Sequence, residues 1–345
     1  MKSMMLTGIR QMKIMEVPDP VIVNNNDVLI RMERTGICGS DVHYYTTGRI
    51  GSQVVEYPFP VGHECAGTVV KTGLDVSRVK PGDRITIDPA IPCGECDQCL
   101  AGRPHTCREL RFLGCPGQAD GSLSEYIVMP EKSCYPIPAH MSFDHAALAE
   151  PLSIGIYSLK LYGSSLNDKS IGILGCGPIG MSVLLPAKTQ KAERIYVTDK
   201  INERLEIAAN YGASWTGNPE NEDIVQAIAE REPQMLDVVF ECCGQQDAVN
   251  QAIELLKPGG KMMIIGIPEF DYWSLPADVI RRKEICLQNV RRQNDCVQPA
   301  IDMIAQGSID VDKMITHRFS FDQTKEAFDL VAGYKDGVMK AMIKF

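Results

Sequence analysis

The chain lacks long apolar runs. None approaches the roughly 18 residues that a membrane-spanning helix needs, and the start, Met1–Met5, lacks the apolar core of a signal peptide. It also lacks any cluster of Lys and Arg, and its net charge is −9, from 35 basic and 44 acidic residues. A basic patch is the electrostatic footprint of proteins that bind nucleic acid or anionic lipid. These absences predict a cytoplasmic protein that binds neither nucleic acid nor a membrane.

Cysteine, by contrast, is plentiful. Thirteen cysteines without a secretory signal indicate a reducing compartment, with metal binding rather than disulfides. Cys93, Cys96, Cys99 and Cys107 follow the spacing C-x2-C-x2-C-x7-C, and tight Cys-x-x-Cys turns present the soft ligands of a tetrahedral Zn²⁺ on one side of a loop. A ferredoxin run opens in the same way but continues with x3 and Cys-Pro. The x7 gap, and Arg108 after the last cysteine, therefore favour structural zinc over an iron–sulfur cluster or a metal-free loop.

The length and composition indicate two globular domains. A chain of 345 residues is long for one core, and 44% hydrophobic with 23% charged residues is ordinary for a folded protein. Residues 1–150 contain short apolar runs separated by turn signals such as Lys80–Asp83, a pattern typical of a β-rich, partly closed barrel. The strand candidates are Val28–Met32, Gly67–Val70, Arg84–Ile87 and Tyr126–Val128.

The pattern changes at Glu150-Pro151, after which strand and helix patterns alternate. Such alternation predicts a parallel sheet covered by helices on both faces. We therefore expect a doubly wound α/β domain over 151–284 and a segment, 285–345, that returns to the first domain. The strand candidates are Ser170–Leu174, Arg194–Thr198, Leu236–Phe240 and Lys261–Ile265, and the helix candidates are Asn202–Asn210, Asn221–Arg231, Asp247–Leu256 and Pro299–Gln306.

A dinucleotide motif opens the second domain. Gly175–Gly180 reads G-x-G-x-x-G between an apolar strand pattern and the helical run Met181–Leu185. Its glycines permit a tight turn and a close approach of the backbone to pyrophosphate, whose charge meets the helix N-terminus. A generic turn between a strand and a helix is the alternative. The motif residues expected to bind the cofactor are Gly175, Gly177, Pro178, Ile179 and Gly180.

Asp199 ends the next predicted strand, about 20 residues beyond the motif. A carboxylate there accepts hydrogen bonds from the adenosine ribose hydroxyls and repels a 2′-phosphate. Lys200 and Arg204 lie close by in the sequence, belong to the same expected cofactor site, and could tolerate a phosphate. The pattern therefore favours NAD over NADP.

Three further segments of the first domain carry metal-capable side chains. They are Gly36–His43 with Cys38, Gly62–Glu64 with His63, and Glu150 at the domain junction. Taken singly, each could be a buried cysteine, a core histidine or a surface glutamate. Their combination with the four-cysteine segment and the glycine motif favours a second, catalytic metal site.

Along essentially the whole chain, these motifs resemble the zinc-dependent medium-chain dehydrogenases. Their order in the chain is also that of the family: the Cys38 motif, Gly62–Glu64, the four cysteines, Glu150-Pro151 and the glycine motif. Within this family, the chain is most similar to the sorbitol and xylitol (polyol) dehydrogenases. The resemblance implies a GroES-like catalytic domain beside a Rossmann domain, and two zinc ions per chain. It also implies NAD-dependent oxidation of a secondary alcohol of a polyol or sugar by a homotetramer or homodimer. The segments that carry the closer match are Gly36–Tyr44, Gly48–Gly51, Glu150–Gly155 and Thr316–Phe319.

The resemblance also implies a ligand set for the catalytic zinc. Cys38 and His63 would bind the ion, with Glu64 or Glu150 as the third protein group and one position left open. In polyol dehydrogenases the counterpart of Glu64 is usually the ligand, and the two glutamates can exchange. Asp41 would accept a hydrogen bond from the non-ligating nitrogen of His63 and so fix its tautomer.

Four other residues of the first domain take roles by the same resemblance. Ser40 and His43 would relay the alcohol proton outward. Tyr44 and Phe112 are candidates for walls of the substrate pocket, although either could be ordinary packing.

The substrate is where the chain departs from the family. Arg292 aligns with an arginine that contacts the polyol chain in the family, but Gln293 replaces the aromatic residue that follows it. Arg291 is a second arginine that could bind a carboxylate or phosphate, or be a solvated charge. Sugar-acid, sugar-phosphate and threonine-type dehydrogenases therefore remain alternatives. A protein that has lost catalysis is a remote one, because it would have no need of the ligand set.

Overall fold

The computed structural model describes residues 1–345 and contains nineteen β-strands. Several in the first 150 residues are only two or three residues long, as expected from the frequent turn signals. In chain order, β1–β19 are Lys2–Gly8, Gln11–Glu16, Asp27–Gly36, Arg49–Ile50, Gln53–Val54, Glu64–Thr72, Arg84–Ile87, Ala90–Ile91, Arg111–Phe112, Tyr126–Pro130, Cys134–Pro136, Ser170–Leu174, Arg194–Thr198, Trp215–Gly217, Leu236–Glu241, Leu256–Ile264, Cys286–Asn289, Ile315–Ser320 and Lys340–Lys344.

Eleven α-helices accompany the strands, and none of them combines the length and the apolar character needed to cross a membrane. In chain order, α1–α11 are Gly39–Thr47, Asp97–Leu100, Phe143–Ala147, Ala149–Tyr162, Pro178–Thr189, Asn202–Asn210, Ile224–Arg231, Gln246–Leu255, Ala277–Lys283, Val297–Ala305 and Thr324–Ala332. Short 3₁₀ turns cover Pro104–Thr106, Glu131–Ser133, Asp312–Met314 and Phe321–Gln323.

The chain divides into two compact units. Unit 1 comprises Met1–Glu150, Val297–Gly307 and Ile315–Phe345, and unit 2 comprises Pro151–Cys296 and Ser308–Met314. β17 pairs with β16 in the sheet of unit 2, so the chain beyond residue 284 contributes to both units.

Unit 1 is built around a mixed sheet in the order β11-β7-β6-β3-β19-β18, with β10 also paired to β3. β3 is its centre because it pairs with β6, β10 and β19, and its residues alternate between two faces. Val28, Ile30 and Met32 point into a buried core, as expected of a strand with one covered face. At the far end of the chain, β19 pairs antiparallel with β3, with Met342 opposite Gly36. This pairing brings the C-terminal strand next to the segment that carries Cys38.

An ion cluster ties three elements of unit 1 together. Asp144, on α3, accepts hydrogen bonds from Arg34 of β3 at 2.5 Å and from Arg318 of β18 at 2.7 Å. Burial alone would raise the pKa of Asp144, but the hydrogen bonds from the two arginines outweigh burial and lower it.

Unit 2 contains a six-stranded parallel sheet in the order β14-β13-β12-β15-β16-β17, which confirms the predicted parallel sheet. All five residues of β12 are buried, as is typical of a parallel strand covered on both faces. β13 and β14 are added to one side of β12, and β15, β16 and β17 are added to its other side. Ligands of such sheets bind beyond the carboxyl ends of the strands at this reversal, where β12 is followed by the glycine motif.

Candidate active site

The four cysteines of the C-x2-C-x2-C-x7-C segment converge on one point. Their sulfur atoms all lie within 4.8 Å of one another. A tetrahedral ion with zinc–sulfur bonds of about 2.3 Å requires sulfur–sulfur distances of about 3.8 Å, and four of the observed distances are 3.5, 3.6, 3.8 and 4.0 Å. The sulfur tetrahedron therefore fits a single structural zinc ion.

The backbone of this lobe supports ionised sulfurs. The Cys93 N–H donates to Cys107 Sγ at 3.3 Å, and the Cys96 N–H donates to Cys93 Sγ at 3.4 Å. Backbone hydrogen bonds from Arg108 and Cys99 lower the pKa of Cys96. Thiolate is the form that binds zinc, so the fold prepares Cys96 for the ion, whereas burial raises the pKa of Cys99 to about 12.

The second predicted metal site lies where β3 leads into α1. Cys38 is the residue before α1, and Asp41 Oδ2 accepts the Cys38 backbone N–H at 3.1 Å. Asp41 Oδ1 accepts the Gly62 N–H at 3.1 Å and lies 3.3 Å from His63 Nδ1. Gly62 has φ +102, and a Cβ there would lie 2.8 Å from the Ser122 hydroxyl, so only glycine suits this turn. One carboxylate thus fixes both Cys38 and His63.

The orientation of His63 suits metal binding. With Nδ1 facing Asp41, Nε2 is the nitrogen left to act as a ligand. His63 is buried, and burial alone would lower its pKa. Asp41 and Cys38 outweigh burial and raise the pKa well above its usual value. The Phe112 ring lies 5.3 Å from the His63 ring, which places this predicted pocket residue against a predicted ligand.

The other residues predicted from this segment lie on α1. Ser40 and His43 are three residues apart and so share a face of the helix. Both are partly exposed, as a proton relay requires. Tyr44 is buried, and its hydroxyl donates to Gln53 Oε1 at 3.1 Å, so this side chain is held by the β4–β5 hairpin.

The two candidate glutamate ligands have different surroundings. Glu64, the first residue of β6, forms a buried ion pair with Lys340 of β19. Glu150, in the first turn of α4, is also buried. Burial raises the pKa of Glu150 to about 7; His63 opposes that shift and Glu64 adds to it. Lys340 is a residue that sequence reasoning missed, because only the pairing of β19 with β3 brings it here.

In unit 2, the glycine motif has the expected backbone. Gly175 follows β12 with φ +95, and a Cβ there would lie 2.8 Å from Cys243 Cβ. Gly177 precedes α5, and Pro178 is its first residue, where proline is well suited. A Cβ on Gly180 would lie 2.0 Å from the Gly175 carbonyl oxygen, so glycine permits the close approach of helix and strand. Together these features place a helix N-terminus at the end of β12 for a pyrophosphate.

Asp199 organises this turn. Its Oδ2 accepts the Cys176 N–H at 2.7 Å, and its Oδ1 accepts the Ile201 N–H at 2.9 Å. Arg204 is buried with Nη1 4.0 Å from Asp199 Oδ2, whereas Lys200 is exposed and 3.7 Å from Glu220. Of these two basic residues, both considered above as tolerating a phosphate, only Arg204 lies beside Asp199.

Glu241 is a second residue that sequence reasoning missed. It ends β15 with no exposed surface, and its Oε1 accepts the N–H groups of Cys243 at 2.8 Å and Gly244 at 2.6 Å. Its backbone carbonyl accepts the N–H groups of Ile265 and Gly266, which follow β16. Glu241 thus joins the loops that follow two strands beside the glycine motif. Its position at the carboxyl end of a predicted strand was the available signal.

The predicted substrate arginine lies in unit 2, after β17. Arg291 is exposed, whereas Arg292 is partly buried and has φ +55, a conformation uncommon for a residue other than glycine. Gln293, which replaces the family's aromatic residue, is buried, and its Oε1 accepts the Cys296 N–H at 2.9 Å. Gln293 therefore holds the turn that carries Arg292.

Comparisons with known proteins show the family to which the chain belongs. Residues 24–139 match the family model of the alcohol dehydrogenase GroES-like domain, and residues 178–306 match that of the zinc-binding dehydrogenases. The chain is 36% identical to sorbitol dehydrogenase of Bacillus subtilis (strain 168), an alignment that covers 99% of this chain and 97% of that protein.

Solved structures of dehydrogenases are also similar to this chain. An oxidoreductase/dehydrogenase of unknown specificity from Escherichia coli superposes with a TM-score of 0.93 at 34% identity, covering 99% of this chain and 98% of that one. L-idonate 5-dehydrogenase from Escherichia coli K-12 superposes with a TM-score of 0.91 at 30% identity, covering 100% and 98%. These likenesses confirm the expected combination of a GroES-like and a Rossmann-type fold.

Proposed function

The chain belongs to the zinc-dependent medium-chain dehydrogenases, and on that premise we propose that it transfers a hydride from a secondary alcohol of a polyol or sugar to NAD, giving a ketose or ketone. The observation that carries the proposal is the arrangement of Cys38, Asp41 and His63, in which one carboxylate orients two metal ligands. The likeness to sorbitol dehydrogenase supports a sorbitol- or xylitol-like substrate.

In the proposed mechanism, Cys38 and His63 would hold the catalytic zinc with Glu64 or Glu150. The bound ion would polarise the substrate hydroxyl and lower its pKa, and NAD would supply the acceptor for the hydride. Asp41 keeps the proton of His63 on Nδ1, so that Nε2 remains a ligand. The donor set of thiolate, imidazole and carboxylate suits zinc.

Proton transfer is assigned to α1. Ser40 Oγ takes up the proton of the substrate hydroxyl while its own hydroxyl proton moves on through the cofactor ribose towards His43, one helical turn further on, and His43 releases a proton to solvent. Phe112 and Tyr44 flank the site on the side of His63 and α1.

Cofactor binding is assigned to the segment from Gly175 to Gly180 and to Asp199. The helix N-terminus of α5 receives the pyrophosphate, and the Asp199 carboxylate receives the ribose hydroxyls. Arg204, held beside Asp199, and Lys200 complete this site. Because Gly175 and Gly180 have no side chains and pack closely against their neighbours, the backbone of this turn is the surface that would contact the phosphates.

A sugar acid is the second candidate substrate. The likeness to L-idonate 5-dehydrogenase and the exposed Arg291 next to Arg292 favour it. The two candidates are separated by measuring kcat/KM with NAD for polyols, sugar acids, sugar phosphates and 3-hydroxy amino acids. The proposal expects the highest value with a polyol; a sugar acid preferred by a hundredfold would transfer the assignment to the second candidate.

We further propose that the protein works in the cytoplasm as a homotetramer or homodimer. The supporting feature is β17, an edge strand of the parallel sheet whose outer side pairs with no strand of the same chain. Such an edge is a ready site for adding a strand of a second copy.

A further inference from the structure

Glu241 is a buried carboxyl group that the proposed mechanism does not use. It ends β15 and has no exposed surface. Its Oε1 accepts the N–H groups of Cys243 and Gly244, at 2.8 and 2.6 Å, and the Cys243 thiol at 3.2 Å. Its backbone carbonyl accepts the N–H groups of Ile265 and Gly266, at 2.9 and 3.0 Å. One residue therefore holds both the loop that follows β15 and the loop that follows β16.

The two loops are also packed backbone against backbone. Gly244 has φ +70, and a Cβ there would collide with the Ile267 carbonyl. A Cβ on Gly266 would collide with the Gly244 N–H and would lie 2.6 Å from Glu241 Oε2, the carboxyl oxygen that has no hydrogen-bond partner. A side chain at either glycine would therefore push the loops apart. Two glycines and one carboxyl group set the spacing of the loops.

The position of the loops in the sheet indicates which part of a dinucleotide they would meet. β13 and β15 lie on opposite sides of β12. Asp199, after β13, is assigned to the adenosine ribose, and the N-terminus of α5, after β12, to the pyrophosphate. A dinucleotide bound across the reversal of the sheet then extends its nicotinamide half beyond β15 and β16. Cys243 adjoins this path, because a Cβ on Gly175 would lie 2.8 Å from Cys243 Cβ.

We propose that Glu241 is a positioning residue for the nicotinamide half of the cofactor, because it fixes the two loops as the wall against which that half binds. The inference rests on the proposed cofactor site. Glu241 has no exposed surface, so it acts through the loops and not by touching the cofactor. Precision matters in such a wall, since a misplacement of about 1 Å can cost roughly a hundredfold in rate.

Two substitutions separate the hydrogen-bond acceptor of Glu241 from its charge. Glu241→Gln removes the charge but keeps an oxygen that can accept the N–H groups of Cys243 and Gly244. Glu241→Asp keeps the charge but withdraws the acceptor by one methylene group. Because the proposal depends on the acceptor, Glu241→Gln should keep the loops in place and Glu241→Asp should not.

The direct test compares the dissociation constants of NADH and of ADP-ribose, which lacks the nicotinamide ring, by calorimetry. ADP-ribose reports the contacts to the adenosine ribose and the pyrophosphate, so the ratio of the two constants isolates the nicotinamide. We expect Glu241→Asp to weaken NADH by at least about tenfold relative to ADP-ribose, because two hydrogen bonds that fix the wall are lost. Glu241→Gln should stay within about threefold of wild type.

Glu232→Asp is a matched control. Glu232 is also buried, and its Oε2 accepts the hydroxyl of Ser170, the first residue of β12, at 2.6 Å. Shortening this side chain alters the opposite end of the same sheet, so it should lower the melting temperature and leave the ratio of dissociation constants unchanged. A loss of stability alone therefore does not imitate the expected result.

Three outcomes would overturn the proposal. They are a ratio within twofold of wild type in Glu241→Asp, an equal weakening of NADH and ADP-ribose in that variant, and a ratio in Glu241→Gln that falls as far as in Glu241→Asp. The affinities need no alcohol substrate. If the ratio responds as expected and no polyol is oxidised, the proposed function fails and this inference stands. If polyols are oxidised and Glu241→Asp leaves the ratio unchanged, only this inference fails.

Discussion

Replacing Asp199 with Asn should change the preference between NAD and NADP. The carboxylate is held by the N–H groups of Cys176 and Ile201, at 2.7 and 2.9 Å, and so faces the end of the glycine turn with little freedom to move. The asparagine oxygen can keep one of these bonds, which makes Asp199→Asn a milder change than alanine. What it removes is the negative charge.

Loss of the negative charge of Asp199 has two effects, and both lower the preference for NAD over NADP. A hydrogen bond to a charged group contributes about 1.5–3 kcal/mol, so weaker binding of the ribose hydroxyls should lower kcat/KM for NAD by roughly ten- to a hundredfold. Two like charges about 4 Å apart repel by about 1 kcal/mol in water and about 4 kcal/mol near a protein surface, so NADP should gain. Arg204, 4.0 Å from Asp199, would lose its acidic neighbour and become available to a 2′-phosphate.

The assay is the ratio of kcat/KM for NAD to kcat/KM for NADP, with the same alcohol, in wild type and variant. We expect the ratio to fall by at least about tenfold. A matched control is Asp237→Asn, because Asp237 also accepts a backbone N–H, that of Ser170 at 3.0 Å, but at the start of its strand. The control should lower stability and leave the ratio unchanged. A ratio within twofold of wild type in Asp199→Asn would refute the assignment.

Three further predictions follow from the structure. Cys99→Ser should lower the melting temperature and should reduce the zinc content from two ions to one per chain. Cys38→Ser should abolish turnover with little change in melting temperature. Zinc analysis, calorimetry and the activity assay check these outcomes. Arg292→Ala should lower kcat/KM roughly ten- to a hundredfold for polyols and much less for a simple secondary alcohol, and equal losses would show that Arg292 does not contact the substrate. The pKa of Asp144 is lowered by its two arginine partners, so its contribution to stability is present above the usual carboxyl pKa near 4 and is lost as the pH falls through the lowered value. Denaturant unfolding between pH 7 and 3 should therefore show a weaker pH dependence in Asp144→Asn, and an unchanged dependence would contradict this.

The strands of unit 2 were the easiest elements to predict. Ser170–Leu174 and Arg194–Thr198 agree in both bounds with β12 and β13, because a strand covered on both faces is a short apolar run between turn signals. The helix predicted from Asn221 begins at Ile224 instead, since the Asp223 side chain accepts the Gln226 N–H and caps the first turn.

Other elements depend on tertiary structure. β16 begins at Leu256, directly after α8 ends at Leu255, and its pairing with β15 shifts register between Leu236 and Val238. Its early residues include Gly259 and Gly260, which do not resemble a strand. α4 was not predicted either, because Glu150-Pro151 reads locally as a boundary although proline is well tolerated in the first turn of a helix.

The candidate active site shows the same limit. Cys38 and His63 could be predicted because each lies in a short motif with a chemical meaning. Lys340 could not, since it is 276 positions from Glu64 and meets it only because β19 pairs with β3. Glu241 could be placed at the end of a strand, but its hydrogen bonds to Cys243 and Gly244 follow from the loop geometry.

Hydride transfer itself tests the central claim most directly. Protein shown to hold two zinc ions is incubated with NAD and its best polyol substrate, deuterated at the carbon that is oxidised, and the reduced cofactor is analysed by mass spectrometry. We expect one deuterium in each molecule of NADH, formed in step with the ketose, and no NADH from the Cys38→Ser protein. Reduced cofactor without deuterium, or no reduction of NAD with any secondary alcohol tested, would contradict the account.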